Sequence, residues 1–224
     1  MKVNLLFEQS GTFKHVLREM GNDAKDIDIS NAYNETDILT DIFVILDNYI
    51  SGDTKVVKSE IFNGDLLIAF FPCTYFSQYN DLILSGTWRN YKFMTDNEKS
   101  MYMLNRKAMQ ILYTYRLNAL IEICRDKKIP LIIENPVSPY MTKIIENNNI
   151  NYVKHIRNKY GDNMYKPTYY LLFNGACIEN LDLIETPVTR LVEKIRDKNG
   201  NANRSLMSKD YVRNFCKHIK IIKR

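Results

Sequence analysis

The chain has 224 residues, of which 45% are hydrophobic and 25% are charged. This length fits one domain, or one domain with a small appendage, and the composition excludes an intrinsically disordered chain. The first 11 residues lack the pattern of a secretory signal peptide, and no apolar run reaches the roughly 20 residues that span a bilayer. Four widely spaced cysteines without a CxxC pair, beside three histidines, argue against a metal site or a disulfide framework and predict a cytoplasmic protein.

Positive charge is concentrated in the C-terminal part of the sequence. Residues 190–224 contain 11 Lys and Arg against 3 Asp and Glu, a net charge of +8, whereas the preceding residues contain 20 against 23, a net charge of −3. Two interpretations are open: contacts with nucleic-acid phosphates, or an ordinary solvated surface. Residues 197–204 have the composition of a linker. We therefore expect a domain at 1–196, then a basic linker and C-terminal helix at 197–224, with the helix over about 208–222.

The first 29 residues have the pattern of a βαβ unit. An apolar run at 3–7 predicts a strand, and the apolar residues 13, 16, 17 and 20 have the spacing of one helix face. Ser10 is the expected N-cap of this helix. The run 24–29 predicts a second strand with Asp28 near its end, where dinucleotide-binding folds place the acid that binds ribose hydroxyls. Taken alone, Asp28 also fits an ordinary acid at a strand end.

The remaining chain alternates between strand and helix patterns. Strands are predicted at 65–71, 130–134, 152–156 and 168–173, and a long helix at 100–125. On one face of this helix lie Leu104, Ala108, Leu112, Tyr115, Ala119 and Ile123. The alternation predicts an α/β fold with a mostly parallel sheet and helices on both faces.

Four polar or reactive clusters follow predicted strands, where open α/β sheets bind their ligands. They are residues 8–11, Asp28, residues 72–77 and residues 134–136. The turn FEQSG at 7–11 presents backbone N–H groups at a helix N-terminus, which suits a carboxylate or a phosphate. We expect the four clusters to meet at one edge of the sheet.

Cys73 and Glu134 are the candidate chemical groups. A thiolate at a strand end is a strong nucleophile when a helix N-terminus or a cation stabilises it. The alternative is that Cys73 is a small buried hydrophobic residue, which is our expectation for Cys124. Glu134 ends an apolar strand, so we expect it to be neutral or hydrogen-bonded, and a neutral carboxyl is a good proton donor. The pair suits addition of a thiolate to ring carbon C6 of a pyrimidine, after which C5 can take a methyl group.

In their order and spacing, these motifs resemble compact phage-borne proteins of the DNA cytosine-C5 methyltransferase type. The likeness covers most of the chain, through FEQSG (7–11), GNDAKDID (21–28), TDI (40–42), DLLIAFFPCTYFS (65–77), IENPVSPYM (133–141), YGDNMYKPTYYLLFNG (160–175) and RS (204–205). It implies a Rossmann-like class I methyltransferase fold without a large target-recognition domain. It also implies S-adenosyl-L-methionine as cofactor, DNA as partner, no metal and no membrane, in the cytoplasm of a bacterium or a phage-infected host.

The resemblance also implies roles for individual residues. The cofactor would be bound by Phe7, Glu8, Ser10, Gly11, Asp28, Asp41 and Pro72. Cys73 would add to C6, Glu134 would stabilise the N3-protonated ring, and Asn135 would position Glu134 or the base.

The sequence departs from the family at several positions. Phe70 and Phe71 replace His-Pro, Thr74 replaces the Gln of the large enzymes, and Gly11 is all that remains of the glycine-rich cofactor loop. The arginines that clamp the flipped base in full-length enzymes have no clear counterpart, and Arg157 matches them only weakly. These departures leave two alternatives open: a non-catalytic binding or inhibitor protein on a degenerate methyltransferase scaffold, or an enzyme that modifies pyrimidines in nucleotides or RNA.

Overall fold

A computed structural model describes residues 1–53, 55, 59–188 and 206–222. Its helices are α1 (Thr12–Glu19), α2 (Ile42–Ile50), α3 (Gln78–Leu84), α4 (Asp96–Asp126), α5 (Pro139–Asn147) and α6 (Lys209–Lys217). Its strands are β1 (Lys2–Leu6), β2 (Asp23–Asp28), β3 (Ile38–Leu39), β4 (Leu66–Ala69), β5 (Leu131–Pro136), β6 (Asn151–Ile156), β7 (Pro167–Phe173), β8 (Ala176–Ile178) and β9 (Ile219–Ile221). The predicted alternation of strands and helices is confirmed.

Seven strands form the central sheet in the order β3-β2-β1-β4-β5-β7-β6. The first five of these are parallel, whereas β7 runs antiparallel to β5 and β6. Leu6 is in register with Ala69, and Ala69 with Ile133. The residues that follow these three positions therefore reach the same edge of the sheet, as the sequence predicted.

Both faces of the sheet are covered by helices, because its strands are apolar on both sides. Leu6, Leu67 and Ile133 pack in one hydrophobic cluster with α2, α4 and α5. Their neighbours on the opposite face belong to a second cluster with α1 and α6. The mostly parallel α/β sheet with flanking helices is confirmed.

Only part of α4 covers the sheet. The helix begins earlier than predicted, after a capping box in which Thr95 and Glu98 exchange hydrogen bonds. Ala119 and Ile123 are buried, whereas Leu104 near the other end of the predicted apolar face is 63% exposed. The periodicity correctly predicted the helix, but the sheet is shorter than the helix and buries its C-terminal half. None of the helices in the described ranges is long and apolar enough to cross a membrane.

The predicted last helix is shorter than expected. It ends at Lys217, and the following residues form β9, which pairs with β8. The helix packs on α1, where Glu19 forms ion pairs with Lys209 (2.5 Å) and Arg213 (3.0 Å). The predicted linker at 197–204 and the RS motif at 204–205 lie outside the described residues.

Candidate active site

A cavity of about 370 Å³ opens at the edge of the sheet where β1, β2, β4 and β5 end. Eight of the ten predicted site residues line it, namely Phe7, Glu8, Ser10, Asp28, Asp41, Pro72, Cys73 and Glu134. Gly11 and Asn135 are outside its lining. The sequence interpretation did not assign to the site the remaining lining residues Gln9, Phe13, Ile29, Ile42, Phe43, Phe70, Phe71, Thr74, Lys166 and Met207.

The turn after β1 has an unusual backbone. Phe7 (φ 63°), Gln9 (φ 57°) and Gly11 (φ 72°) all adopt the left-handed conformation, which is rare for residues with a side chain. The ring of Phe7 is held between Phe43 (5.3 Å between ring centroids) and Phe71 (5.7 Å). Backbone strain of this kind persists where the surroundings enforce it, and it occurs preferentially at functional sites.

Glu8 caps α1, and this corrects the predicted role of Ser10. The N-cap residue is Gly11, and it is the Glu8 carboxylate that accepts hydrogen bonds from the backbone N–H groups of Gly11 (2.6 Å) and Thr12 (3.1 Å). The Ser10 hydroxyl donates to the same carboxylate at 2.5 Å. Burial raises the pKa of Glu8, although these hydrogen bonds oppose the shift. The helix N-terminus that was expected to receive a ligand anion is therefore occupied by the chain's own carboxylate.

Asp28 presents one carboxylate oxygen without a partner. Its Oδ1 accepts hydrogen bonds from the backbone N–H of Ser30 (2.7 Å) and from Gln9 (3.3 Å). Its buried Oδ2 has no hydrogen-bond partner among the described residues, although Asp28 is only 1% exposed. Burial raises the pKa of Asp28. This oxygen can accept a hydrogen bond from a ligand hydroxyl in the cavity, whereas the carboxylate of Asp41 already caps α2 through the N–H of Phe43 (2.9 Å).

A second buried acid lies beside these residues and was not predicted. Asp26 is fully buried, and neither of its carboxylate oxygens has a hydrogen-bond partner within the described ranges. Burial and the nearby carboxylates of Glu8 and Asp28 raise its pKa to about 8, against the opposing charge of Lys14. The Lys14 ammonium is itself engaged by Glu35 at 3.0 Å. This end of the cavity is thus rich in carboxyl groups.

Cys73 also lines the cavity, in the turn that follows β4. It is half-buried, and its carbonyl accepts a hydrogen bond from the N–H of Phe76 at 2.9 Å. Cys124 and Cys216 are buried in the two hydrophobic clusters, and burial raises the pKa of each thiol to about 12. These two thiols are therefore unsuited to nucleophilic chemistry at neutral pH.

Glu134 is buried and paired with a cation that the sequence interpretation missed. Lys166 Nζ donates a hydrogen bond to Glu134 Oε1 at 3.3 Å, and both side chains line the cavity. Of the two expected states, neutral or hydrogen-bonded, the structure shows a hydrogen-bonded carboxyl. The side-chain amide of Asn135 donates a hydrogen bond to the Phe71 carbonyl at 3.0 Å, and no hydrogen bond among the described residues joins it to the Glu134 carboxyl. Asn135 therefore supports the loop that carries Cys73.

Arg157 does not line the cavity. Its guanidinium is fully buried and paired with Asp162, with Nε 2.6 Å from Oδ2. A second hydrogen bond from this guanidinium reaches the carbonyl of Leu206 at 2.9 Å. Such a buried pair stabilises the connection between β6 and the C-terminal segment. It excludes Arg157 from a base-clamping role in this conformation.

Comparisons of the sequence with protein-family models and with curated proteins found no match. In the described ranges, no three His, Cys, Asp or Glu side chains are grouped in a way that could hold a metal ion. The geometry and charge of the cavity are therefore the features that indicate a function.

Proposed function

We propose that the protein is an S-adenosyl-L-methionine-dependent methyltransferase that acts on cytosine C5, with DNA as the expected substrate and Cys73 as the nucleophile. One observation carries this proposal. A single cavity joins an acid-lined end, built from Glu8, Asp28 and Asp41, to a Cys73 thiol and a Glu134–Lys166 pair. A cofactor site and a pyrimidine-modifying site would thus share one space.

The charge of the cavity favours a cationic ligand over a phosphate ligand. Rossmann-like folds bind dinucleotide phosphates at the N-terminus of the first helix. Here the Glu8 carboxylate already accepts hydrogen bonds from the N–H groups of Gly11 and Thr12. A phosphate at this helix N-terminus would therefore meet a carboxylate instead of free hydrogen-bond donors. S-adenosyl-L-methionine carries a sulfonium and an ammonium group, and both are attracted to carboxylates.

The neutral parts of the cofactor also find matching groups. The partnerless Oδ2 of Asp28 can accept a hydrogen bond from a ribose hydroxyl. The aromatic side chains of Phe7, Phe43 and Phe71 provide an apolar wall for an adenine ring. Of these residues, Phe7 and Asp28 are also among those that the resemblance predicted to bind the cofactor.

The strand order differs from that of a dinucleotide-binding sheet. Such sheets are mostly parallel, in the order 3-2-1-4-5-6. This sheet keeps the 3-2-1-4-5 part and inserts the antiparallel β7 between β5 and β6. This departure from the dinucleotide-binding order is consistent with a different nucleoside ligand, such as the proposed cofactor.

The residues at the other end of the cavity account for the chemistry. The Cys73 thiolate adds to C6 of the ring, and the electron pair moves towards N3. Glu134 and Lys166 together present a hydrogen-bond acceptor and a donor, which match the exocyclic amine and N3 of cytosine. Their pair delivers the proton that N3 takes up. After methyl transfer, C5 passes its proton to water, the thiolate leaves C6, and the pair recovers the N3 proton. When bound, S-adenosyl-L-methionine supplies the methyl group.

The nucleic-acid partner is proposed from charge and access. Chemistry at C5 requires the base to be flipped from a duplex or taken from a single strand. The +8 net charge of residues 190–224 would supply sequence-independent phosphate contacts.

Calorimetry followed by methyl-transfer assays tests this proposal. We expect S-adenosyl-L-methionine to bind, and labelled methyl groups to pass to DNA. Cys73→Ala should abolish transfer and leave cofactor binding intact, because the thiol contacts the base. Cys124→Ala is the matched control and should retain transfer, since its thiol lies in the core.

The alternatives predict different results. An enzyme acting on RNA or nucleotides would transfer methyl groups to those substrates and not to DNA. A non-catalytic binding protein would retain its biological or binding activity after Cys73→Ala, and wild-type protein would form no covalent adduct with DNA that contains 5-fluorocytosine. Absence of cofactor binding to folded protein at millimolar ligand would contradict the proposal itself.

A further inference from the structure

The loop that carries Cys73 is anchored from several sides. The carbonyl of Phe71 accepts a hydrogen bond from Asn135, and the carbonyl of Phe76 accepts one from the hydroxyl of Ser138. These two contacts come from β5 and the start of α5, the elements that follow Glu134 in the chain. They hold both ends of the loop against the strand that carries the carboxyl group.

The middle of the loop is held by α4, which contributes nothing to the cavity lining. Arg106 Nη2 donates to the carbonyl of Thr74 at 2.8 Å, and its Nε donates to Asn80 Oδ1 at 2.8 Å. The same guanidinium lies over the ring of Tyr75, 4.4 Å from the ring centroid. The side chain of Arg106, 33 positions after Cys73, thus binds the residue that directly follows Cys73.

The next carbonyl is fixed by the same group of residues. Tyr75 O accepts hydrogen bonds from Asn80 Nδ2 at 2.9 Å and from Gln110 Nε2 at 3.0 Å. Asn80 and Gln110 are both buried. Asn80 therefore accepts from Arg106 through its oxygen and donates to the loop through its nitrogen, so its orientation is determined by Arg106.

We propose that Arg106 is a positioning residue for Cys73. The planar guanidinium holds two donors in a fixed fork, and here the fork binds the Thr74 carbonyl and Asn80 together. A lysine at this position can supply the charge but not the paired geometry. Through these contacts Arg106 holds the turn in which the half-buried thiol faces the cavity. Displacement of a reacting group by about 1 Å can lower a rate by 10²-fold.

The inference deepens the proposed function, and one of its two tests is independent of that function. The first test measures the rate at which iodoacetamide alkylates Cys73 in the full chain, followed by peptide mass spectrometry. Arg106→Gln should alkylate faster than wild type, because the released loop exposes a thiol that is half-buried in the intact loop.

Arg116→Gln is the matched control. Arg116 also lies on α4, binds Asp47 at 2.7 Å and stacks 4.4 Å from the centroid of Phe43, but it does not contact the Cys73 loop. Its loss should lower the melting temperature without changing the alkylation of Cys73. An Arg106→Gln protein that loses stability like this control and keeps the wild-type alkylation rate would overturn the proposal.

The second test separates positioning from a direct contact with nucleic acid. For positioning, Arg106→Gln and Arg106→Lys should both lower kcat for methyl transfer, by about 10²-fold for Gln, while KM for DNA stays unchanged. A phosphate contact would instead raise KM in Arg106→Gln and be restored by Arg106→Lys, and that pattern would refute the proposal. If wild-type protein transfers no methyl group to any substrate, the proposed function fails while the alkylation assay still decides the role of Arg106.

Discussion

Replacement of Asp26 by Asn should stabilise the protein increasingly as the pH rises. The Asp26 carboxyl is buried without a hydrogen-bond partner in the described part of the chain. Burial and neighbouring carboxylates raise its pKa from 3.8 to about 8. Between these two values the folded protein keeps a proton on Asp26 that the unfolded chain has lost. Stability that depends on this proton is therefore present at low pH and declines as the pH rises towards 8.

The size of the effect follows from the width of this window. Each pH unit between the two pKa values costs up to about 1.4 kcal/mol, so at pH 7 the penalty reaches about 4 kcal/mol. Asn removes the titration but buries an amide without partners, which costs about 1–3 kcal/mol. We expect Asp26→Asn to be neutral near pH 5 and more stable than wild type by about 1–3 kcal/mol at pH 7.

Urea denaturation of both proteins at several pH values between 5 and 8.5 measures this difference. Asp37→Asn is the control of opposite sign: burial of Asp37 is outweighed by hydrogen bonds from the Asp26 N–H and Arg18, so the pKa of Asp37 is lowered. That variant should lose stability at neutral pH, and its deficit should shrink as the pH falls. A difference between Asp26→Asn and wild type that stays constant from pH 5 to 8 would refute the argument.

Two other predictions concern the cavity. Glu8→Ala removes the cap of α1, which should cost about 1–2 kcal/mol, and it frees backbone N–H groups at the helix N-terminus. Calorimetry should then detect phosphate binding that wild-type protein lacks, and no binding by folded Glu8→Ala would contradict the charge argument. Lys166→Met leaves Glu134 buried without its cation, so the unfolding free energy at pH 7 should fall by about 1–3 kcal/mol. Lys166→Arg should retain most of the stability, and equal losses in both variants would show that the ion pair contributes nothing.

Local periodicity was sufficient to predict much of this fold. Two local patterns could be recognised from neighbouring residues alone. They are the apolar runs of β1, β4 and β5 and the helical spacing in α1 and α4. The meeting of Cys73 and Glu134 at one cavity was also predictable, because parallel strands end at the same edge of a sheet. The sequence alone therefore indicated the sheet and eight of the residues that line the cavity.

Roles that depend on distant contacts could not be predicted in this way. The sequence suggested Ser10 as the cap of α1, whereas the structure places the Glu8 carboxylate there, in a turn where Phe7 and Gln9 adopt the left-handed conformation. Lys166 reaches Glu134 because β7 runs antiparallel to β5. An apolar pattern predicts a strand but does not predict its direction in the sheet.

The same limit applies to Arg106 and Asp26. Arg106 reaches the residue after Cys73 from α4, which begins 23 residues after Cys73, and only the packing of this helix brings them together. The pKa of Asp26 is set by burial and by the carboxylates of Glu8 and Asp28, and tertiary structure brings Glu8 to it from the turn after β1. Periodicity predicts which side of an element faces the core. The hydrogen bonds and the charge of a side chain depend instead on the residues that the tertiary structure brings into contact with it.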